Sequence, residues 1–243
     1  MYNKCKKNNS IDERFCSIKK EDADMQIEGK VNVEYVGLCD DFDGGVEISQ
    51  NGTVVQSVYC YNANEITFSE EARVIATGAL QRLGGFTDME FFCSRLVIPK
   101  GIEKIEPGAF YHLDNAETVM VDEENSVYTA VDNVIFTKDM KTLVWCPPRI
   151  SGWFGTYAVP EGTEEIAALA FGVTCLKNLI LPKTLKKYTL TDEDSGIKDC
   201  FFYDDYTNLE KIIGVPGSRA EELAKEVAVE FVDIDEWDED DES

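Results

Sequence analysis

Few residues of this chain have the type and spacing that enzyme chemistry needs. The chain holds one histidine, His112, so a Ser-His-Asp or Cys-His arrangement would have to use it. His112 follows Ala109-Phe110, in a slot that varies between repeats of the chain, and this favours a surface loop over a triad. Neither of the Gly-rich phosphate loops, G-x-x-x-x-G-K and G-x-G-x-x-G, occurs. We therefore expect no catalytic residues, no cofactor and no enzyme activity.

Carboxylates are too numerous to point to a site by themselves. With 47 acidic residues, some pairs approach by chance, so a hydrolase that uses two carboxylates stays open only as an alternative. Asp40, Asp41 and Asp43 precede Gly44 at a spacing that could hold calcium, but no later Glu completes an EF-hand loop. The plainer interpretation of these aspartates is a polar hairpin turn.

The eight cysteines do not form a metal-binding pattern. No C-x-x-C occurs, so zinc or iron–sulfur ligation has no support. The even number is compatible with disulfides. However, Cys93, Cys175 and Cys200 stand at or beside repeat positions where a small apolar residue would be buried, and a thiol behaves as a small hydrophobe. We prefer the interpretation that these cysteines are thiols.

The charge balance limits the class of partner. A net charge of -24 and a pI of about 4.3 argue against direct nucleic-acid binding and against adhesion to anionic membranes, since both need a basic patch. A basic protein would be favoured in encounter, although the charge also serves solubility. The sequence shows no secretory signal and no stretch long enough to span a membrane, which predicts a cytoplasmic protein without membrane insertion.

The elements that would position any site come from a repeat. In the stretch Leu96–Leu113, LVIPKGIEKIEPGAFYHL, an apolar-x-apolar-Pro segment is followed by spaced apolar residues and Ala-Phe. Matching stretches are Ile66–Leu83, Tyr157–Phe171 and LILPKTLKKY. The alternating segment predicts a short strand that Pro ends, and Ala-Phe predicts a turn with Phe inside. Stacked coils of this kind would bury a continuous core, so the predicted fold is a repeat solenoid.

These residues resemble the BspA-type leucine-rich repeats, whose IP-x-x-V-x-x-I-x-x-x-AF core appears at Ile98-Pro99, Ile102, Ile105 and Ala109-Phe110. SVYTAVDNVIFTKDMKTLVWCPP is similar to the hairpin insert of such arrays, and VPGSRAEELAKEVAVEFVDI to their closing unit. The resemblance implies a right-handed superhelix of short β-strands with turns or short helical corners. It also implies protein or host-surface binding and, for many members, export. The cell surface or the extracellular space is thus an alternative location, for a protein that was trimmed at its N-terminus.

The predicted order starts with a polar segment over 1–24. An antiparallel β cap over 25–65 follows, because alternating runs flank Asn51-Gly52, a strong hairpin signal. The array covers 66–216, with a hairpin insert at about 126–148 whose strands flank KDMK. A helix from Ser218, with the capping box Ser218/Glu221, and a last strand form a lid over 217–234. Residues 235–243 form an acidic tail, either solvated or a short motif for a basic groove.

The best functional candidate is a column of side chains on the strands. If Leu96 and Ile98 point inward, Val97 points outward, and the same period of two applies to the other strands. The predicted partner-binding residues are Arg95, Val97, Thr118, Met120, Ala158, Asn178, Ile180 and Ile213. An exposed apolar column with a polar rim favours a partner site. The alternative is that loops or the insert cover this face and make it core.

These observations predict a non-enzymatic module that binds a protein through the sheet face of the solenoid. One alternative is an acidic decoy that blocks a basic, nucleic-acid-binding protein; another, if the chain is exported, is a cell-surface adhesin. High salt would abolish binding by the decoy and spare binding through the apolar column. The sequence leaves the oligomeric state undecided.

Overall fold

The structure is a computed structural model that describes residues 30–33, 45–50, 53–59, 62–68, 70–80, 92–110, 113, 115–148, 150–151, 155–171, 175–189 and 208–238. Its elements, in chain order, are β1 (Lys30–Val33), β2 (Gly45–Gln50), β3 (Val54–Tyr59), β4 (Asn62–Thr67), β5 (Val74–Ile75), β6 (Phe92–Ile98), β7 (Lys104–Ile105), β8 (Asn115–Val121), β9 (Tyr128–Val131), β10 (Val134–Thr137), β11 (Thr142–Trp145), β12 (Thr156–Ala158), β13 (Glu165–Ile166), β14 (Asn178–Ile180), β15 (Lys187–Tyr188), β16 (Lys211–Gly214), α1 (Arg219–Glu226) and β17 (Glu230–Asp233).

The repeats stack as coils, each with one strand in a face sheet and a shorter strand in a second sheet. The first face sheet contains β4, β6 and β8, and the second face sheet contains β12, β14, β16 and β17, all parallel. The shorter strands pair in the register that the sequence repeat predicts, with Ile75 opposite Ile105 and Ile166 opposite Tyr188. The predicted solenoid is confirmed, and its first face strand starts at Asn62, earlier than the predicted Ile66.

Two turns recur in each coil and explain the repeated residue types. After the face strand, the amide of Ile102 donates to the carbonyl of Pro99, and Thr163 and Leu185 make the same bond after their own prolines. At the far corner, Gly78 and Gly108 have φ values of 70° and 71°, a region that glycine enters without steric cost. The coil that ends in Phe171 has Leu169 there, at φ 57°.

The corner Ala and its large neighbour lie inside the solenoid, as predicted. Ala109 and Phe110 are each 2% exposed, and Ala170 and Phe171 are each 1% exposed. A small side chain is needed at this corner because the coils approach closely; the amide of Leu80 donates to the carbonyl of Ala109 in the next coil. The repeat pattern therefore reports the interior of the coil directly.

The N-terminal strands join the stack of shorter strands. β1, β2 and β3 are antiparallel neighbours, with β2 and β3 on the two sides of Asn51-Gly52 as predicted for a hairpin. β3 then pairs in parallel with β5, so the antiparallel strands and the first coils share one sheet, β1-β2-β3-β5-β7. The assignment of 25–65 as a cap stays a prediction.

The insert divides the array. β10 and β11 pair in antiparallel fashion on the two sides of KDMK, as predicted, and β11 pairs in parallel with β13 as if it were the strand of a coil. Trp145 is 7% exposed, with its ring centroid 5.0 Å from that of Phe110, so it packs the hairpin onto the coil. β9, which the sequence did not indicate as a separate strand, adds to the far side of β10.

The core of the described residues consists of two clusters, one on each side of the insert. The first contains the side chains of coils up to β8, and the second contains those from β12 onward. β10 contributes to both, because Ile135 belongs to the first cluster while Val134 and Phe136 belong to the second. All three residues are completely buried. The hairpin thus separates the two clusters and packs against one of them on each of its faces.

Helix α1 closes the end of the second cluster with Ala220, Leu223 and Ala224. Ser218 is the N-cap and accepts a hydrogen bond from the amide of Ala220. Glu221 reaches back to the amide of Gly217, at 2.7 Å, so the predicted capping box is displaced by one residue.

The side chain of Arg219 donates to the carbonyl of Lys186 beside β15, so α1 is also tied to the last of the shorter strands. At the other end of the helix, burial and the carboxylate of Glu226 raise the pKa of Tyr188 to about 12. These contacts fix α1 against the open end of the array.

Candidate interaction surface

The first face sheet presents the predicted outward row. Leu96 and Ile98 are completely buried in the first core cluster, so the residues between them point away from the core. In register, Arg95 pairs with Thr118 and Val97 with Met120. Met120 is 48% exposed, Val97 is half-buried, and Arg95 and Thr118 are exposed. The predicted direction of these four side chains is confirmed, and their role in binding stays a prediction.

The second face sheet carries the predicted column only in part. Ala158 is exposed and Ile180 is half-buried, and the two are paired in register. Asn178 and Ile213 are 2% and 0% exposed, so the prediction that they are accessible for a partner is wrong. The physical reason is that period-two alternation separates the two sides of a strand but does not reveal what lies over either side.

The predicted single column is also interrupted, because the two face sheets do not join. The turn between β9 and β10 reaches the edge of β8, where Asn133 Oδ1 accepts a hydrogen bond of 3.0 Å from the amide of Val119. Asp132 and Asn133 both have positive φ, 49° and 68°, as in a two-residue hairpin turn of the primed type. A side chain therefore takes the place of the next strand at this edge.

The edge of the sheet of shorter strands, at β7, is also covered by one side chain of the insert. Tyr128, at the start of β9, accepts a hydrogen bond of 2.8 Å from the amide of Ile105 in β7 through its hydroxyl oxygen. Burial raises the pKa of this phenol. Sequence reasoning missed Tyr128 and Asn133; the signal that could have found the turn is Asp132-Asn133 between two apolar runs.

The side chain of Asn125 hydrogen-bonds both to a turn of the preceding coil and to the first residues of the insert. Its Nδ2 donates to the carbonyls of Pro99 and Ile102, both at 3.0 Å. Its Oδ1 accepts from the amides of Val127 and Tyr128, both at 2.8 Å. Asn125 is 1% exposed, and all of its amide hydrogen-bonding capacity on these atoms is used.

Cations of the described surface lie beside glutamates. Lys141 and Lys186 flank Glu164 at 3.3 Å and 2.7 Å, and these two lysines lower the pKa of that carboxyl. Lys104 lies 3.0 Å from Glu106, and this lysine together with the amide of Thr77 in the preceding coil lowers the pKa of Glu106. Because these cations are neutralised locally, the excess of acidic residues determines the sign of the surface potential.

No group of three or more potential metal ligands occurs among the described residues. Asp40, Asp41, Asp43 and His112 lie outside the described residues, so the calcium and loop predictions made for them stay predictions. Cys146 and Cys175 are buried thiols, and burial raises the pKa of Cys146. Cys200 and the side chain of Cys93 also lie outside the described part. No described helix has the length and apolar character needed to cross a bilayer.

Comparisons with known proteins find solved structures of low sequence identity. No protein-family model and no curated protein matches it. Similar solved structures include the pneumococcal vaccine antigen PcpA, with 24% identity, TM-score 0.40, and coverage of 62% of this chain and 41% of that one. A leucine-rich repeat protein from Eubacterium ventriosum is 15% identical, with TM-score 0.36 and coverage of 76% and 78%.

A leucine-rich cell surface protein from Faecalibacterium prausnitzii is 16% identical, with TM-score 0.38 and coverage of 63% of this chain and 54% of that one. The chain thus spans less than two thirds of two of these three structures. Identities this low concern the fold alone. The strand pairing described above by itself makes the fold a stacked-coil solenoid.

Proposed function

We propose that this chain is a non-enzymatic protein-interaction module that binds its partner through the outward row of the first face sheet. The observation that carries the proposal is the exposure of Met120, which at 48% is the most exposed large apolar side chain among the described residues. It lies beside Val97, and the exposed Arg95 and Thr118 form the neighbouring row. An apolar centre with a polar rim is the usual composition of a protein-binding surface.

The strands hold this surface rigidly. β6 is flanked by β4 and β8 over most of its length, and its inward side chains Leu96 and Ile98 are completely buried. A surface fixed by a packed sheet loses little conformational entropy on binding, which favours association. The net charge of -24 supports a basic partner, whose approach such a field would accelerate.

A second candidate function is an acidic decoy for a basic, nucleic-acid-binding protein. The net charge of -24 favours it, since acidic side chains remain in excess after every lysine and arginine has been paired. A decoy would bind through charge and would lose affinity steeply with salt. Binding through Met120 and Val97 would survive high salt, because burial of apolar surface is not screened.

The test is affinity capture from a lysate of the source cells at low and at high salt, with the double variant Val97→Glu/Met120→Glu beside wild type. The matched control is Val215→Glu, which places the same charge at another exposed apolar residue, 38% exposed, ahead of α1. We expect a partner that is retained in high salt by wild type and by the control, and lost by the double variant.

Retention of the same partner by the double variant would contradict the proposed surface. Loss of the partner from all three proteins at high salt would favour the decoy. Circular dichroism of each variant separates a loss of binding from a loss of fold. For a partner so identified, isothermal titration then gives its affinity for each variant.

A further inference from the structure

One side of β16 is covered although it faces away from the core. Ile212 belongs to the second core cluster, and α1 begins beside Gly214, where an added Cβ would lie 2.5 Å from Cβ of Ala220. Ile213, between them, therefore points to the opposite side of the strand. It is 0% exposed, yet it belongs to neither core cluster. This side of β16 thus has a cover that is separate from the core.

Residues 234–238, the C-terminal segment, follow β17 beside this strand. The amide of Ile234 donates to the carbonyl of Gly214, and the amide of Glu236 then donates to the carbonyl of Asp233 in a turn. After this turn, the ring centroid of Trp237 lies 5.5 Å from Nζ of Lys211, within the range of a cation–π interaction. Because Lys211 and Ile213 share one side of β16, Trp237 lies on the covered side.

An unpartnered polar atom lies next to this contact. Asn178 is opposite Lys211 in register and 2% exposed. Its Nδ2 donates to Oγ1 of Thr156 at 3.2 Å, while its Oδ1 has no hydrogen-bond partner. Buried amide oxygens rarely lack a donor. Asn178 therefore leaves an open acceptor on the same side of the sheet as Lys211.

We propose that the outer side of β14 and β16, formed by Asn178, Lys211 and Ile213, is a binding site for an acidic segment that carries a tryptophan, and that the chain's own residues 234–238 occupy it. The ammonium of Lys211 binds the indole ring and attracts the flanking carboxylates. Ile213 supplies the apolar floor, and Asn178 supplies a polar group beside it. The same segment supplied by another molecule competes with the tail.

This site is distinct from the outward row of the first face sheet. The two lie in different sheets, separated by the insert. Binding at one surface can therefore be lost without loss at the other, and the failure of either proposal leaves the other standing.

The first test is ¹⁹F NMR of the full chain labelled with 5-fluorotryptophan. The chain has three tryptophans, and the Trp237 resonance is assigned by its loss in Trp237→Phe. Lys211→Met, which retains the length of the side chain and removes its charge, is expected to move this resonance to the position found in a synthetic peptide of residues 234–241. Lys183→Met, at an exposed lysine before β15, is the control and leaves it in place. An unchanged Trp237 resonance in Lys211→Met would overturn the proposal.

The second test is fluorescence anisotropy with that peptide, labelled with fluorescein, and full-length protein. A site filled by the tail for about four fifths of the time binds a competitor about fivefold more weakly than an empty one. We therefore expect Trp237→Ala to bind the peptide about fivefold more tightly than wild type, with that gain abolished by Lys211→Met. Met120→Glu leaves peptide binding unchanged. Equal affinities of wild type and Trp237→Ala would contradict occupation by the tail.

Discussion

At the position that Ile102 holds in one coil, the next coil carries Asn125, and a third coil carries Thr163. All three residues close the same turn after a face strand. In each case the backbone amide donates a hydrogen bond to the carbonyl three residues earlier. The two polar substitutes have opposite surroundings. Asn125 has partners for both amide atoms, while the hydroxyl of Thr163, a residue 1% exposed, has none. The energetic effect of a polar residue in this slot therefore depends on its partners, not on its polarity.

Asn125→Ala is expected to lower the free energy of unfolding by about 3 kcal/mol. The substitution removes the acceptor of the Val127 and Tyr128 amides and the Nδ2 donor to the carbonyl of Ile102, and each buried group left without a partner is costly. Urea denaturation followed by circular dichroism measures the change. Ser126→Ala, at the exposed neighbour, is the control and is expected to stay within about 0.5 kcal/mol of wild type. An equal effect of the two substitutions would contradict the structural role of Asn125.

Thr163→Val is expected to raise the free energy of unfolding by about 1 kcal/mol. Valine has nearly the shape of threonine and removes a buried hydroxyl that has no partner. The matched substitution is Thr184→Val in the next coil, whose hydroxyl accepts from the amide of Gly162 and donates to the carbonyl of Thr163. That variant is expected to be less stable than wild type. Thermal unfolding of both variants measures the two signs, and a fall in stability for Thr163→Val would refute the interpretation.

At the scale of elements, the insert ends two sheets at once. Tyr128 accepts a hydrogen bond from the amide of Ile105 at the edge of the sheet of shorter strands. Asn133 accepts one from the amide of Val119 at the edge of the first face sheet. An exposed strand edge invites pairing with another chain, and proteins commonly cover such edges. Here the first residue of β9 and the turn that follows this strand supply the two covers.

Asn133→Gly is expected to increase the hydrogen-exchange rate of the Val119 amide about tenfold or more. Glycine tolerates the positive φ of this position, so the turn is retained while the acceptor is removed. The exchange of the Ile105 amide, which depends on Tyr128, serves as the internal control and is expected to stay unchanged. Exchange followed by NMR resolves the two amides. Equal acceleration of both would show instead that the hairpin had been displaced as a whole.

The whole molecule carries far more acid than base, and the described cations do not offset this excess at a distance. Each exposed lysine–glutamate pair contributes little to stability in water, whereas the summed repulsion of a net charge of -24 acts across the entire surface. Repulsion of this kind is reduced by salt. The balance of the two effects therefore predicts a protein that salt stabilises.

Raising NaCl from 0.1 M to 1 M, which shortens the screening length from about 10 Å to about 3 Å, is expected to raise Tm by about 3 °C or more. Differential scanning calorimetry measures the shift. The control is the double variant Glu123→Lys/Glu236→Lys, at two exposed positions. Each substitution adds two positive charge units, so the net charge changes from -24 to -20. This variant should show a smaller increase of Tm with salt. A Tm that falls with salt would mean that the local ion pairs outweigh the repulsion.

The sequence was sufficient to predict the coils because each repeated residue has a single steric role. Ile105 and Ile166 mark buried strand positions, and Ala109-Phe110 marks a corner, so spacing alone predicted both the fold and the register. The outward direction of Val97 and Met120 followed from the same alternation. These features are local, and a local pattern encodes them completely.

What the sequence did not predict depends on contacts between distant segments. The cover over Ile213 comes from a side of the strand about which period-two alternation says nothing, and the closure of β8 comes from one side chain of the insert. Lys211 and Trp237 meet only because β17 pairs beside β16 and the chain then turns back. Pairings of this kind have no periodic signature, and a single sequence cannot reveal them.

The position of β10 between the two core clusters has a consequence for how the chain folds. Its two faces belong to different cores, so each half of the array completes its own interior by packing against the same short strand. Folding of either half therefore depends on the hairpin, and neither half needs the other half directly. Partial opening should proceed from the ends toward the hairpin, and the last protected amides of the molecule should be those of Ile135 and Phe136.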